Sequence, residues 1–128
     1  MKIEALYSPI TVEANEWESL ATVASRMRFN DAGSAAVLLE GELVGIITER
    51  DLTRAIADGV DTRKTCVGDY MTPDPMTVGK ETDAREAARM MVDSGIRHLP
   101  VVDEKGTLLG LTSIRDIVIE LIWSPDRI

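Results

Sequence analysis

Along this chain the apolar positions switch between short unbroken runs and stripes spaced three and four residues apart, and they do so twice in the same order. Pro9-Ile10-Thr11-Val12 reads as a short strand. Asn15, with Glu18 three residues on, has the form of a capping box that opens a helix. Trp17, Leu20, Ala21, Ala24 and Met27 follow at helical spacing as one stripe for burial, and Gly33 closes the segment. Ala35 to Leu39 and Leu43 to Ile47 are apolar runs joined by Glu40-Gly41-Glu42, the pattern of a hairpin. A second helix carries Leu52, Ala55 and Ile56 on one face and stops at Gly59. Residues 59 to 73 are polar and mixed but not Gly/Ser-rich, so they are expected to form an ordered connector.

The pattern then restarts. Pro75-Met76-Thr77-Val78 mirrors Pro9-Ile10-Thr11-Val12, and Thr82 opens a helix with Ala84, Ala87, Ala88 and Met91 on one face before Gly95. His98 to Val102 and Leu108 to Thr112 form the second hairpin, turning at Asp103 to Gly106. The last helix has a full apolar stripe of Ile114, Ile117, Val118, Leu121 and Ile122, expected to be buried. The chain is therefore read as α/β, an internal duplication of a β-α-β-β-α unit, with residues 1–60 and 74–128 as the units and 61–73 between them. Each unit is too small to cover its own sheet well, so the two are expected to pack sheet to sheet about a pseudo-twofold axis.

Two stretches carry the chemistry. Val44 to Leu52 reads VGIITERDL, and Leu109 to Ile117 reads LGLTSIRDI. In each, an apolar run ends in a hydroxyl, Thr48 or Ser113, with a carboxylate three residues later, Asp51 or Asp116. A strand entering a helix in this way gathers a hydroxyl, a carboxylate and free backbone N–H groups in one small mouth, suited to a ligand with both a sugar and a phosphate. The same pattern also makes an ordinary helix cap, and the two roles are compatible.

Composition narrows the partners. The chain has 128 residues and a net charge of −8, which argues against nucleic acid, since phosphate backbones demand a basic face. Hydrophobic residues make up 45% and aromatics only 4%, so Val, Ile, Leu, Ala and Met must build the core. Cys66 is the only cysteine, so no intramolecular disulfide is possible. MKIEALYSPITV lacks a long apolar core and no apolar run approaches the ~20 residues of a membrane span, so a cytoplasmic protein is expected. With one His, one Cys and no Gly-rich phosphate loop, neither a catalytic constellation nor a metal site is expected.

The tandem units resemble a cystathionine-β-synthase (CBS) domain pair, or Bateman module. The resemblance rests on GIITERDL, on IRHLPVVD from Ile96 to Asp103, on YMTPDPMTV from Tyr70, and on GLTSIRDI, and it covers roughly Ser8 to Trp123. It implies a non-enzymatic sensor that binds AMP, ADP, ATP or S-adenosylmethionine as a regulatory ligand, forms a homodimer and signals to a partner protein. By the same resemblance Asp51 and Asp116 hold ribose hydroxyls, Thr48 and Ser113 sit by the phosphate with Arg97 and His98, and Thr11, Thr77 and Ile96 meet the adenine. The first half has Gly33-Ser34 where the second has Arg97-His98, so the Asp116 mouth is expected to bind AMP more tightly. The competing reading is a dimerisation or docking module whose pockets are vestigial.

Overall fold

The computed structural model describes residues 1–8 and 11–123. Chain contacts divide it into two compact units, Thr11–Pro75 and Met1–Ile10 with Met76–Ile128. The first contains β1 (Glu13–Ala14), α1 (Leu20–Phe29), β2 (Ser34–Leu39), β3 (Glu42–Thr48), α2 (Glu49–Ala57) and β4 (Thr72–Pro73). The second contains β5 (Val78–Gly79), α3 (Ala84–Ser94), β6 (His98–Val102), β7 (Leu108–Ser113) and α4 (Ile114–Trp123). The α/β class and the β-α-β-β-α order of each unit are as read from the sequence.

The first sheet runs β1-β2-β3-β4, with β1 parallel to β2 and the other pairs antiparallel. The second runs β5-β6-β7 with the same senses. Leu20, Val23, Met27, Val37, Ile47 and Ala55 fill the first core, and Ala84, Ala87, Met91, Leu99, Val101 and Ile117 the second. Both hairpins slip register at the same place, between Val37 and Leu38 and between Val101 and Val102. Glu40 and Gly41 both take positive φ (51° and 83°) and make a tight two-residue turn, with Glu42 already in β3 and paired to Leu39 rather than in the turn.

The divisions fall after Ile10 and after Pro75 because a short leading segment precedes each β-α-β-β-α run and belongs to the other unit. Ile3–Ala5 is a turn of 3₁₀ helix whose Ile3 is fully buried in the second core, and Ile3 N–H donates to the Thr82 carbonyl at 2.8 Å. Ser8 N–H donates to the Leu111 carbonyl at 2.9 Å, taking the edge of β7 that β4 takes beside β3. Val67–Asp69 is the matching 3₁₀ turn in the first unit, with Val67 fully buried. The connector is thus ordered, as expected. Gly45 and Gly110 allow these segments to approach: a Cβ on Gly45 would meet the Met71 sulfur, and one on Gly110 would collide with the Ser8 carbonyl.

Several local readings are corrected. The opening strands lie later than the Pro-x-Thr-Val pattern placed them, at Glu13–Ala14 and Val78–Gly79; Pro9 and Ile10 lie outside the described residues. Because Ala14 pairs with Val37 and Val78 with Val101, Val78 stands level with Ala14 and not with Val12. Helix α1 starts after Ser19, whose hydroxyl caps Thr22 N–H, and α3 starts after Asp83 rather than at Thr82. Asn15 and Glu18 form a preceding turn instead: Trp17 N–H donates to Asn15 Oδ1 and Asn15 N–H to Glu18 Oε1, both at 3.0 Å. That turn takes Trp17 out of the buried stripe and leaves it 66% exposed. Asp31, at φ 50°, and not Gly33, fills the left-handed position after α1, as Gly95 does after α3 at φ 66°. Ile56 is exposed on α2, and of the α4 stripe only Ile117 is buried, while Val118, Leu121 and Ile122 are exposed.

Candidate ligand-binding site

Each unit presents its hydroxyl and carboxylate where an inner strand becomes a helix. In the first, Thr48 is the N-cap of α2 and forms a reciprocal capping box with Asp51. Thr48 N–H and Thr48 Oγ1 both donate to Asp51 Oδ2, at 2.8 and 3.0 Å, and Asp51 N–H donates back to Thr48 Oγ1 at 3.4 Å. In the second, Ser113 N–H donates to Asp116 Oδ2 at 2.9 Å and Asp116 N–H to Ser113 Oγ at 3.1 Å. The cap reading of both Thr/Ser-x-x-Asp stretches is therefore realised. It aims the helix N-terminus, with its orphan N–H groups and partial positive charge, into the mouth.

The neighbouring strand end completes the second mouth. His98 pairs with Ser113 across the hairpin, and the Arg97 carbonyl accepts from Ile114 N–H at 2.9 Å. Arg97 is exposed and His98 half-buried, and both follow Ile96, itself exposed. In the first unit Ser34 pairs with Thr48, and the Gly33 carbonyl accepts from Glu49 N–H at 3.1 Å. The same hydrogen bond and the same pairing establish that Gly33-Ser34 stands where Arg97-His98 stands. The neighbouring strand end brings an arginine and a histidine to the second mouth, and Gly33 and Ser34 to the first.

Thr11 and Thr77 do not occupy matching places. Continuing the strand registers, Thr11 is level with Ser34 and borders the first mouth, while Thr77 is level with Pro100, two residues beyond His98. The residue matching Thr11 in the second unit is Pro75. Arg50 and Arg115, beside the two aspartates in sequence, are exposed.

The largest difference between the mouths lies in residues that sequence reading passed over. Arg54 Nη2 donates to Asp51 Oδ1 at 2.6 Å and to the Tyr70 carbonyl at 3.3 Å. Tyr70 Oη in turn donates to Asp58 Oδ2 at 2.7 Å, and this bond to a carboxylate holds the phenol above its ordinary pKa. Asp51 is nearly buried, at 6% exposure, whereas Asp116 is half-buried. Ile119 takes the place of Arg54 in the second repeat, and Trp123 that of Asp58. The signal was available in ERDLTRAIAD set against IRDIVIELIW.

Among the described residues no group of acidic, His or Cys side chains could hold a metal ion, and no helix is long and apolar enough to cross a membrane.

Comparison with known proteins agrees on one family. The model of the CBS domain family matches residues 5–58 and 67–122, one match per repeat and each including a leading segment. A protein of Methanopyrus kandleri is 37% identical over 103 residues, which are 79% of this chain and 53% of that one. The inosine-5'-monophosphate dehydrogenase of Korarchaeum cryptofilum is 36% identical over 100 residues, 78% of this chain but only 20% of the enzyme. The chain spans about half the length of the first curated relatives it matches. A solved CBS domain protein from Pyrobaculum aerophilum, complexed with AMP, has a TM-score of 0.85 at 28% identity, covering 97% of this chain and 100% of that one.

Proposed function

The chain belongs to the CBS domain family, and on that footing we propose that it is a regulatory module whose Asp116 mouth binds an adenine nucleotide. One observation carries this reading. Around Asp116 a carboxylate with open acceptor sites, a helix N-terminus, Arg97 and His98 share one strand end. A carboxylate accepts both hydroxyls of a vicinal diol, and an arginine beside a helix N-terminus favours a phosphate. The AMP complex of the Pyrobaculum aerophilum relative, at 28% identity, supports the ligand class. Ile96, exposed beside Arg97, offers an apolar face to the purine.

The module is read as non-catalytic, since its relative inosine-5'-monophosphate dehydrogenase shares with it only 20% of its length. Signalling follows if the ligand binds two conformations of the module unequally, because only differential affinity shifts an equilibrium. A second copy of the chain is the proposed occupant of the apolar face of α4, where Val118, Leu121 and Ile122 are exposed.

Ligand-dependent melting tests the reading. A ligand that binds only the folded chain raises Tm with concentration. AMP or ATP is expected to raise the Tm of the wild type, and Asp116→Asn, which keeps an oxygen to cap Ser113 N–H, is expected to lose that shift. S-adenosylmethionine serves as the third ligand. Flat melting curves with all three would sink the nucleotide reading and leave the docking module in its place.

A further inference from the structure

We propose that Arg54 is a latch on the first mouth, holding the Asp51 carboxylate in an internal ion pair and thereby setting its occupancy below that of the Asp116 mouth. The proposal rests on the nucleotide reading above and deepens it. An ionised carboxylate offers about four lone-pair sites, and a ribose diol requires two of them. Asp51 commits Oδ2 to Thr48 N–H and Thr48 Oγ1, and Oδ1 to Arg54. One site is left. Asp116 commits only Oδ2, to Ser113 N–H, among the described residues. Three sites remain there.

The latch is itself held. Arg54 also donates to the Tyr70 carbonyl, and Tyr70 Oη reaches the Asp58 carboxylate at the far end of α2. This polar strap across the helix has no counterpart in the second unit. There the matching positions are Ile119 for Arg54, Trp123 for Asp58 and Leu6 for Tyr70, all apolar. Three positions differ together, so the inequality of the mouths has two parts: the first lacks Arg97 and His98, and its carboxylate is already paired. Arg54 is 59% exposed on its side chain against 8% for Asp51, so the arginine can leave while the carboxylate stays in place. A diol competing for Asp51 must displace an ion pair, whereas among the described residues no side chain is ion-paired to Asp116.

Calorimetric titration with AMP in an Asp116→Asn background isolates the Asp51 mouth. Adding Arg54→Ile, which installs the residue found at position 119, is expected to raise affinity there up to about fivefold. The reverse change, Ile119→Arg in otherwise wild-type protein, is expected to weaken the Asp116 mouth by a similar factor. Both positions are on exposed helix surface, and matching melting curves establish that the variants fold. Unchanged or weakened binding in Arg54→Ile, with the wild type still binding through Asp116, overturns the latch alone. No AMP binding to wild type or Arg54→Ile overturns both the latch and the nucleotide reading.

Discussion

Single residues decide how closely the duplicated chain can be drawn together and how its two mouths diverge. Gly45 and Gly110 occupy the same place on β3 and β7, yet a side chain would meet different neighbours. At Gly45 a methyl meets the Met71 thioether, a flexible side chain, whereas at Gly110 it meets the Ser8 carbonyl, which is backbone. Gly110→Ala is therefore expected to destabilise by roughly 1–3 kcal/mol, and Gly45→Ala by less, as read from thermal unfolding of the two variants. Equal losses would mean that the backbone beside β7 moves as freely as a methionine. Thr48, Asp51, Ser113 and Asp116 stand out in sequence because each falls in a stretch that occurs twice, whereas Arg97 and His98 were pointed to by the family resemblance alone. Arg54 does not stand out, since a lone arginine on a polar helix face looks like any solvated charge until the carboxylate beside it is shown to be taken.

At the scale of elements, the hairpins and helix types could be read because their apolar runs and stripes are strong, while helix starts could not. Asn15-x-x-Glu18 and Ser19 both look like caps, and only packing chooses between them. Glu18 accepts from Asn15 N–H and also from Arg26, whose Nη1 and Nη2 grip its two oxygens at 3.1 and 2.6 Å. Arg26 Nη1 also donates to the Glu13 carbonyl, tying α1 to β1. The Arg26 hydrogen bond holds the Glu18 carboxyl below its ordinary value of 4.5, with the Asn15 N–H adding to the effect against burial. A depressed carboxylate pKa stabilises the fold above the unfolded value, and that contribution is lost as pH falls through the folded one. Wild type should thus lose stability between about pH 5 and pH 3 more steeply than Glu18→Gln, by roughly 1 kcal/mol or less for a pair near the surface. Parallel acid limbs in urea titrations across that range would show that the pair is not coupled to folding.

Across the whole chain, duplication was the most legible feature, because the period of the pattern repeats in order. Which leading segment belongs with which unit was hidden, since Ile3-Glu4-Ala5 and Val67-Gly68-Asp69 share no residue identity although each folds as a 3₁₀ turn with its first residue fully buried. The apolar stripe of α4 was rightly seen as apolar, but its burial was assigned within the chain, where Leu121 and Ile122 are exposed. With a second copy over that face, Leu121→Glu is expected to shift sedimentation equilibrium from dimer to monomer while leaving the melting of each unit in place. A wild type that sediments as a monomer at every concentration would remove the second copy from the account.

The measurement that bears most directly on the whole is the stoichiometry of AMP by isothermal titration calorimetry on wild type, Asp116→Asn and Asp51→Asn. Unequal mouths predict one tight site per chain, kept in Asp51→Asn and abolished in Asp116→Asn. Two equal sites in the wild type, or a tight site that follows Asp51 instead, would contradict it.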